Sequence, residues 1–452
     1  MQSKKIINNT NHFIKRIEKA GINLSPYNYD FVYSHIPCGV LKKVNDNNYD
    51  LIEKEIFKKI SENFSLYIHI PFCERSCAYC FYFKTTNFNF NILKHYVNVL
   101  IKELNLLSKK INLFSRKLKA VYIGGGTPSL LPTSLFELLL KNVSSSFPKN
   151  IEFALELHPE SITKKKIEIM KKYNVTRPSF GVQTFSDKIL LKTGRTYNGE
   201  LAISKINLLK KYYSNFNIDM IFGLPYQTKQ DLLEDIEVIK NVKPPSVTWY
   251  QLWINPRKTE YDSLTKRISK EFLFKKKMFI EARFIINEEL AKVGYKNWFN
   301  DWYILDKKAY PIYEELKIKG QGNFALGPSS YGYNNGHIWE NTKSFSSYYE
   351  KLQKNQLPIE FYRKMVISET LLRKTMMNLK GLYKIPNETI TKLPKIIQRR
   401  INKLLKTKIL LKENNKIFIN PDFGTVRDYL IKHILGEEYW KIKKSNKSWG
   451  IK

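Results

Sequence analysis

The feature that most constrains the fold of this chain is a regular alternation of strand-like and helix-like segments between Leu66 and about Tyr295. Six runs rich in β-branched and aromatic residues are each followed by a run of helical period; in chain order they are LYIHIP, KAVYIGGG, IEFALELHP, RPSFGVQTF, NIDMIFGLP and SVTWYQLWI. A strand followed by a helix, repeated along the chain, requires parallel strands joined by right-handed crossovers. Because six units are fewer than the eight of a closed barrel, the pattern predicts an α/β fold built on an open, partial (β/α)6 barrel.

The segments outside this core predict smaller appendages. Residues 1–60 form a partly helical N-terminal extension, and the barrel core occupies 61–300. Residues 301–360 serve as a connector, and their Gly-, Ser- and Asn-rich stretch GQGNFALGPSSYGYNNG is typical of an ordered loop. The lysine-rich pattern of 361–452 predicts a small, mostly helical C-terminal domain that contains one strand, NKIFINP.

Composition excludes several classes of protein. No run approaches the roughly 20 apolar residues of a membrane span. The N-terminal stretch MQSKKIINNTNHFIKRIEK has no apolar signal core, so we expect a cytoplasmic protein. The net charge of +35 is a signal for nucleic acid. However, the basic residues are spread along helical segments as singles and pairs, so we interpret them as solvated helix faces and expect no nucleic-acid partner.

Three of the four cysteines, Cys73, Cys77 and Cys80, lie in the stretch YIHIPFCERSCAYCFYFK. Such clustering in a long chain from a reducing compartment indicates metal or redox chemistry. Thiolates at C-x3-C-x2-C spacing can hold a cubic [4Fe–4S] cluster and leave its fourth iron open. An open iron can chelate a molecule that carries both an amine and a carboxylate, such as S-adenosylmethionine (SAM). The alternative is a Cys3His zinc site completed by His69 or by Cys38, although Cys38 in SHIPCGV is more typical of a buried small hydrophobic residue.

Polar residues and glycines follow each strand-like run, where parallel strands present their carboxyl ends to one rim of the barrel. The cysteines follow the first run. The features that follow the later runs are GGGTP (Gly124–Pro128), Glu156 with His158, Gln183, Asp219 and Gln251. We therefore expect a single binding site at this rim.

These motifs together resemble those of the radical SAM enzymes, in the superfamily related to the oxygen-independent coproporphyrinogen III dehydrogenase. The motifs LYIHIPFCERSCAYC, IGGGTPS, ELHPE, GVQTF, TGR, NIDMIFGLP and LGPSSYGY occur in that family's order and at its approximate spacing, over roughly residues 60–335. The resemblance implies a [4Fe–4S] cluster on Cys73, Cys77 and Cys80, and one or two molecules of SAM. It also implies an electron donor such as flavodoxin or ferredoxin. Reductive cleavage of SAM would give a 5′-deoxyadenosyl radical that abstracts hydrogen from a small-molecule substrate.

The resemblance also implies roles for other residues at the rim. Tyr67 and Tyr79 would flank the cluster-bound SAM, and Tyr67 and Glu156 are the expected catalytic residues. Backbone groups of Gly125, Gly126 and Thr127 would approach the amino and carboxylate groups of SAM, because glycine leaves room for a close approach. The expected hydrogen-bonding partners of SAM are Glu156, Gln183, Arg195 and Asp219, with further contacts from Gln251 and from Tyr331 in the SAM-contacting loop of residues 301–360.

Three functions within this superfamily remain open. The leading hypothesis is a class C methyltransferase or cyclopropanase, which uses two SAM molecules, because LGPSSYGY and the aromatic CFYF are closer to that group. The coproporphyrinogen dehydrogenase agrees in length, but its extra cysteine after the cluster motif is missing, and its Arg-containing leader is here YNYDFVYSHIP. A haem-binding chaperone ranks third, since such chains are usually shorter. His337 is a candidate axial ligand, although a lone loop histidine rarely has that role.

Overall fold

The computed structural model describes residues 2–24, 41–77, 79–252, 276–298, 301–436 and 439. Cys38 and the leader YNYDFVYSHIP lie outside these residues. The helices are α1 (Gln2–Lys19), α2 (Asp46–Phe57), α3 (Phe90–Lys110), α4 (Thr133–Ser144), α5 (Lys164–Lys172), α6 (Asp187–Lys192), α7 (Gly199–Lys210), α8 (Lys229–Val242), α9 (Lys276–Lys292), α10 (Ile312–Ile318), α11 (Phe345–Gln353), α12 (Ile367–Lys380), α13 (Asn387–Thr391), α14 (Lys395–Lys406) and α15 (Arg427–Leu435).

The strands form one large sheet and one small one. They are β1 (Lys42–Lys43), β2 (Phe64–Ile70), β3 (Leu118–Gly125), β4 (Glu152–Leu157), β5 (Arg177–Gln183), β6 (Asn217–Phe222), β7 (Ser246–Gln251), β8 (Lys296–Asn297), β9 (Trp302–Ile304), β10 (Gly322–Leu326), β11 (Tyr331–Asn334), β12 (His337–Asn341), β13 (Ile359–Lys364), β14 (Ile385–Pro386), β15 (Leu410–Glu413) and β16 (Lys416–Ile419).

The six predicted β/α units are confirmed as the centre of the large sheet. Strands β2 to β7 lie side by side in chain order and all pair in parallel. The sheet stays open, with β1 at one end of the strand order and β8 at the other. The protein therefore has an α/β fold around a partial barrel, and no closed barrel is formed by the described strands.

The strands of this centre are buried on both faces, as expected for parallel strands covered by helices. Six of the seven residues of β2 are buried. On α3, the residues Leu93, Val97, Leu100 and Leu104 recur at three- and four-residue steps and face the sheet. The Asn89 side chain accepts a hydrogen bond from the Ile92 N–H and caps the start of α3. Helix α3 therefore begins where the cysteine loop ends and holds the C-terminal end of that loop in place.

The Gly- and Ser-rich stretch after residue 320 forms strands, so the prediction of an ordered loop was wrong. Strand β10 pairs in parallel with β2, on the side away from β3, and β11 and β12 extend the sheet in antiparallel order. Gly332 in β11 has the Trp339 ring against its backbone, where a Cβ atom would clash. The glycine allows close packing within a strand. A local sequence pattern does not distinguish a glycine of this kind from a glycine in a turn.

The C-terminal part forms a second unit that is mostly helical, as predicted. Strand β13 still belongs to the large sheet. Helices α12, α13 and α14 contact the small antiparallel sheet, whose strand order is β14–β16–β15. The N-terminal segment packs into the same core: Phe13 stacks on Phe423 at 5.3 Å between ring centroids, and Ile22 is buried there. No described helix is long and apolar enough to cross a membrane.

Candidate functional site

A cavity of about 240 Å³ lies at the carboxyl ends of the parallel strands. Every residue that the sequence predicts for the site lines this cavity, except Tyr67 and Tyr331; the predicted residues in its wall are Cys73, Cys77, Tyr79, Cys80, Gly125, Gly126, Thr127, Glu156, Gln183, Arg195, Asp219 and Gln251. The rim arrangement inferred from strand order therefore brings these side chains into one place.

One wall of the cavity is the loop between β2 and α3, which carries the three cysteines as free thiols. The Cys73 N–H donates to the Thr85 carbonyl at 3.1 Å, and the Thr85 N–H donates to the Pro71 carbonyl at 2.7 Å. These two bonds close the base of the loop. Burial raises the pKa of the Cys73 thiol to about 11, so a metal that binds there has to displace a proton.

His69 is not placed to complete a zinc site. Burial lowers its pKa to about 4, so the ring is neutral. The Nε2 atom lies 2.9 Å from the Phe83 carbonyl, which can only accept, so Nε2 carries the proton and donates. The Nδ1 atom, 3.0 Å from the Tyr67 hydroxyl, then accepts from it. Both ring nitrogens are used within the protein, which argues against the Cys3His alternative.

The three thiols suit a cluster better than a single ion. Among the described residues, no three His, Cys, Asp or Glu side chains are grouped so as to hold one metal ion. A cubic cluster makes a different demand, because each thiolate binds a different iron. The thiols then have to line one cavity without meeting at a point, as Cys73, Cys77 and Cys80 do. The donor set therefore fits a [4Fe–4S] cluster with an open iron.

The glycines at the end of β3 let this strand approach the cysteine loop. A Cβ atom on Gly126 would lie 2.6 Å from the Phe72 carbonyl oxygen, and Gly125 has a φ of +114°. The N–H groups of Gly125, Gly126 and Thr127 donate to Glu156, Ile70 and Phe72, respectively. These N–H groups are therefore used within the fold, and the visible role of the glycines is close packing beside the cavity.

Two half-buried carboxyl groups face the cavity from neighbouring regions of the sheet. Glu156 on β4 accepts hydrogen bonds from the Tyr122 hydroxyl at 2.8 Å and the Gly125 N–H at 3.0 Å. Asp219 on β6 accepts from the Ser179 hydroxyl and the Asn217 side-chain amide, each at 2.9 Å. Burial raises the pKa of Glu156 to about 7 and that of Asp219 to about 6. These partners offset the cost of burying a carboxylate, and both groups titrate near neutral pH.

Arg195 links two walls of the cavity. Its Nε atom donates to the Tyr79 hydroxyl at 3.0 Å, and its Nη1 atom donates to the Gly181 carbonyl at 3.2 Å. Gln183, at the end of β5, has a φ of 73°, a conformation that residues other than glycine rarely adopt. The pairing of β5 with β6 shifts register at this point. Such local strain is common where a side chain is aimed into a binding site.

Gln251 joins the cavity to the C-terminal unit. It ends β7, and its Nε2 atom donates to the hydroxyl of Tyr429 on α15 at 2.9 Å. Both side chains are buried. A helix of the C-terminal unit therefore contacts a residue that lines the cavity directly.

Tyr67 and Tyr331 do not reach the cavity wall. Tyr67 pairs with His69 through its hydroxyl and stacks on Tyr122, which lines the cavity, with 6.1 Å between ring centroids. Tyr331 is on β11, on the far side of β2 from the barrel strands, and packs with Leu41 and Tyr333. His337, the candidate axial ligand, is buried on β12, with its Nδ1 atom 2.7 Å from the Tyr362 hydroxyl. Tyr67 therefore lies one ring behind the cavity wall, whereas Tyr331 and His337 lie in the antiparallel extension of the sheet.

Sequence reasoning did not assign four aromatic residues of the wall: Phe81 and Tyr82 beside the cysteines, and Tyr122 and Tyr250 on strands. Tyr122 lies two residues before Gly124 in the same strand, so alternation along β3 places both on one face of the sheet. That spacing was a usable signal. Tyr250 directly precedes Gln251, and alternation alone would have assigned it to the opposite face.

Comparisons with known proteins bear on the identity of this fold and site. Residues 67–239 match the sequence profile of the Radical SAM superfamily. Heme chaperone HemW of Buchnera aphidicola subsp. Schizaphis graminum (strain Sg) is 32% identical over 271 residues, which cover 59% of this chain and 69% of the relative. Heme chaperone HemW of Escherichia coli (strain K12) is 33% identical over 199 residues, 42% of this chain and 51% of the relative.

Among solved structures, Coproporphyrinogen III oxidase (HemN) from Escherichia coli, a radical SAM enzyme, superposes with a TM-score of 0.72 and 17% identity, over 87% of this chain and 93% of that chain. At this identity the likeness shows a common fold. The named relatives are haem chaperones, so the leading hypothesis of a class C methyltransferase or cyclopropanase was wrong. Part of LGPSSYGY, on which that hypothesis relied, forms strand β11, which lies between β10 and β12 in the large sheet.

Proposed function

The chain belongs to the radical SAM superfamily, within the family related to coproporphyrinogen III dehydrogenase that includes the haem chaperones, and from this premise we propose that it is a haem chaperone that carries a [4Fe–4S] cluster and binds SAM. The observation that supports the haem assignment is the likeness to Heme chaperone HemW, which extends over 69% of that relative. The observation that supports the cofactors is the cavity with its three free thiols.

Cys73, Cys77 and Cys80 would hold the cluster, and the cavity wall opposite would hold SAM. When bound, the cluster supplies an electron at low potential to SAM. Asp219 and Glu156 offer carboxylate oxygens to ribose hydroxyls or to an amino group, and their raised pKa values make this strongest above about pH 7. Arg195 offers its guanidinium to a carboxylate. Tyr79, Tyr122 and Tyr250 line the space with rings and reduce the access of water.

We propose that an electron donor such as a flavodoxin or ferredoxin docks on the exposed side of the cysteine loop. Glu74, Arg75 and Ser76 are exposed between two of the cysteines. Only the cysteine loop would then separate a partner bound there from the cluster. We assign this function to the cytoplasm, where thiols stay reduced.

The experiment that tests the proposed function is a haem titration of cluster-loaded protein under anaerobic conditions, followed by absorbance in the Soret region. We expect saturation near one haem per chain, with and without SAM. Coproporphyrinogen III, offered with SAM and dithionite, is expected to stay unchanged. Non-saturable haem absorbance together with loss of carbon dioxide from coproporphyrinogen would instead assign the chain to the decarboxylase branch.

A further inference from the structure

The C-terminal unit contains a helix–turn–helix followed by a β-hairpin. Helix α13 ends at Thr391, three residues form the turn, and α14 begins at Lys395. Strands β15 and β16 follow and pair with each other as a hairpin, and β16 also pairs with β14 of the same unit. Two helices joined by a three- to four-residue turn form the motif whose second helix enters the major groove of DNA in many binding proteins.

The second helix of this motif has one buried and one basic face. Ile397, Ile401 and Leu404 are buried in the C-terminal core. The exposed face carries a basic stripe, defined here as Lys395, Arg399 and Lys406, at positions i, i+4 and i+11. Helix α14 contains no acidic residue, and among the described residues the stripe has no acidic partner.

The hairpin adds exposed polar and basic groups beside the helix. Lys412 and Lys416 are exposed on either side of its tip, and Asn414 and Asn415 form the tip with φ values of 47° and 58°. Residues 381–420 contain ten Lys or Arg and two Glu, an excess of eight, whereas the whole chain of 452 residues has an excess of 35. The density of positive charge in this unit is therefore more than twice that of the chain.

We propose that this unit binds double-stranded DNA through its phosphate backbone, with α14 in the major groove and the β15–β16 hairpin on the adjacent backbone. The 12 residues of α14 span about 18 Å, enough to cross a groove about 12 Å wide. This replaces the expectation of solvated helix faces for this part of the chain. An anionic membrane is a poorer fit, because Ile396, 40% exposed, is the one exposed apolar residue on α14.

The test uses the full chain and a fluorescein-labelled 20-base-pair DNA duplex, with binding followed by anisotropy between 50 and 200 mM KCl. The test variant is Lys395→Gln/Arg399→Gln/Lys406→Gln. The matched control, Lys94→Gln/Lys102→Gln/Lys109→Gln, removes the same charge from exposed positions on α3. We expect the wild type and the control to bind with a steep salt dependence. The test variant is expected to lose about 2.7 units from the slope of log K against log salt, because each lost phosphate contact removes about 0.9.

Three outcomes would overturn this proposal: no binding of the wild type at 50 mM KCl, an equal loss in the control variant, or binding to vesicles of anionic phospholipid without binding to the duplex. Stronger binding to an A-form RNA duplex of equal length would overturn the placement in the major groove, which side chains cannot read in RNA. Haem binding and iron content are expected to be unchanged in both variants. Failure of this proposal is thereby distinguishable from failure of the proposed function.

Discussion

At the scale of single residues, the cavity is defined by thiols and by carboxyl groups that are half-buried and hydrogen-bonded. Glu156 and Asp219 each have two partners, and Arg195 joins the cysteine loop to the end of β5 through Tyr79 and Gly181. Removing one partner from such a group leaves a polar atom unpaired, which costs about 1–3 kcal/mol when the atom is fully buried and less at a half-buried position. Single substitutions are therefore informative here.

The cysteines permit a direct prediction. Cys73→Ala, Cys77→Ala and Cys80→Ala are each expected to reduce the iron and sulfide bound after anaerobic reconstitution from about four of each per chain to near zero, because three thiolates are the minimum set for the cluster. Cys38→Ala is the control and is expected to retain the full content. Loss of the cluster in the Cys38 variant would show that the fourth iron is held by the protein.

Glu103, away from the cavity, gives the stability of the fold a pH dependence. This buried carboxyl accepts hydrogen bonds from the Gly327 N–H at 2.9 Å and the Tyr348 hydroxyl at 2.6 Å, and burial raises its pKa to about 8, from an ordinary value of 4.5. Between these values the folded state keeps a proton that the unfolded state has lost, so the stabilisation is full below pH 4.5 and is lost as pH rises to about 8.

We therefore expect the free energy of unfolding of the wild type to fall as pH rises from 5 to 8, with Glu103 contributing up to about 1.4 kcal/mol per pH unit. Glu103→Gln removes the titrating group, so its denaturant-unfolding curves are expected to shift less over this range. The control is Glu200→Gln at an exposed position. Identical pH profiles for wild type and Glu103→Gln would refute this account.

At the scale of elements, the long sheet depends on strands that come very close to one another. Strand β10 joins β2 to the antiparallel strands β11 to β13, so the cysteine-bearing strand is paired on both sides. At Gly332 the Trp339 ring occupies the space of a missing side chain. This contact positions β11 against β12.

Gly332→Ala is expected to lower the free energy of unfolding by about 2 kcal/mol, because overpacking in a well-packed region forces backbone shifts. Gly424→Ala is the matched control, since its new Cβ atom would meet Leu382 at 3.7 Å, an ordinary contact distance. Chemical denaturation of both variants measures the difference. Equal midpoints for the two would mean that the Trp339 ring moves away without cost.

At the scale of the whole molecule, sequence pattern predicted the parts of the fold whose signals are local. The six parallel strands followed from hydrophobic runs and glycine-rich ends, and the cavity wall followed because parallel strands end at one rim. The antiparallel extension was missed because a glycine-rich stretch such as that around Gly332 is typical of a loop. Its strand conformation becomes clear only when the packing of Trp339 against it is known. Tyr331 was misplaced for the same reason, since its position depends on which side of β2 the extension occupies.

The specific function was harder to predict than the fold, because the motifs around Cys73 and Gly125 are shared by the entire superfamily. These motifs specify how a cluster and SAM are held. They say little about the substrate or cargo that binds beside them. At Gln251 the cavity meets Tyr429 of the C-terminal unit. The sequence of that unit contains no motif that indicates a ligand or a reaction. The proposal of haem over a porphyrinogen therefore rests on the relatives.

The measurement that tests the central claim most directly is mass spectrometry of one anaerobic reaction that contains cluster-loaded protein, SAM, dithionite, haem and coproporphyrinogen III. The account predicts that haem remains chemically unchanged and co-elutes with the protein at about one per chain, while coproporphyrinogen keeps its mass. Loss of carbon dioxide from coproporphyrinogen, with haem eluting free, would contradict it.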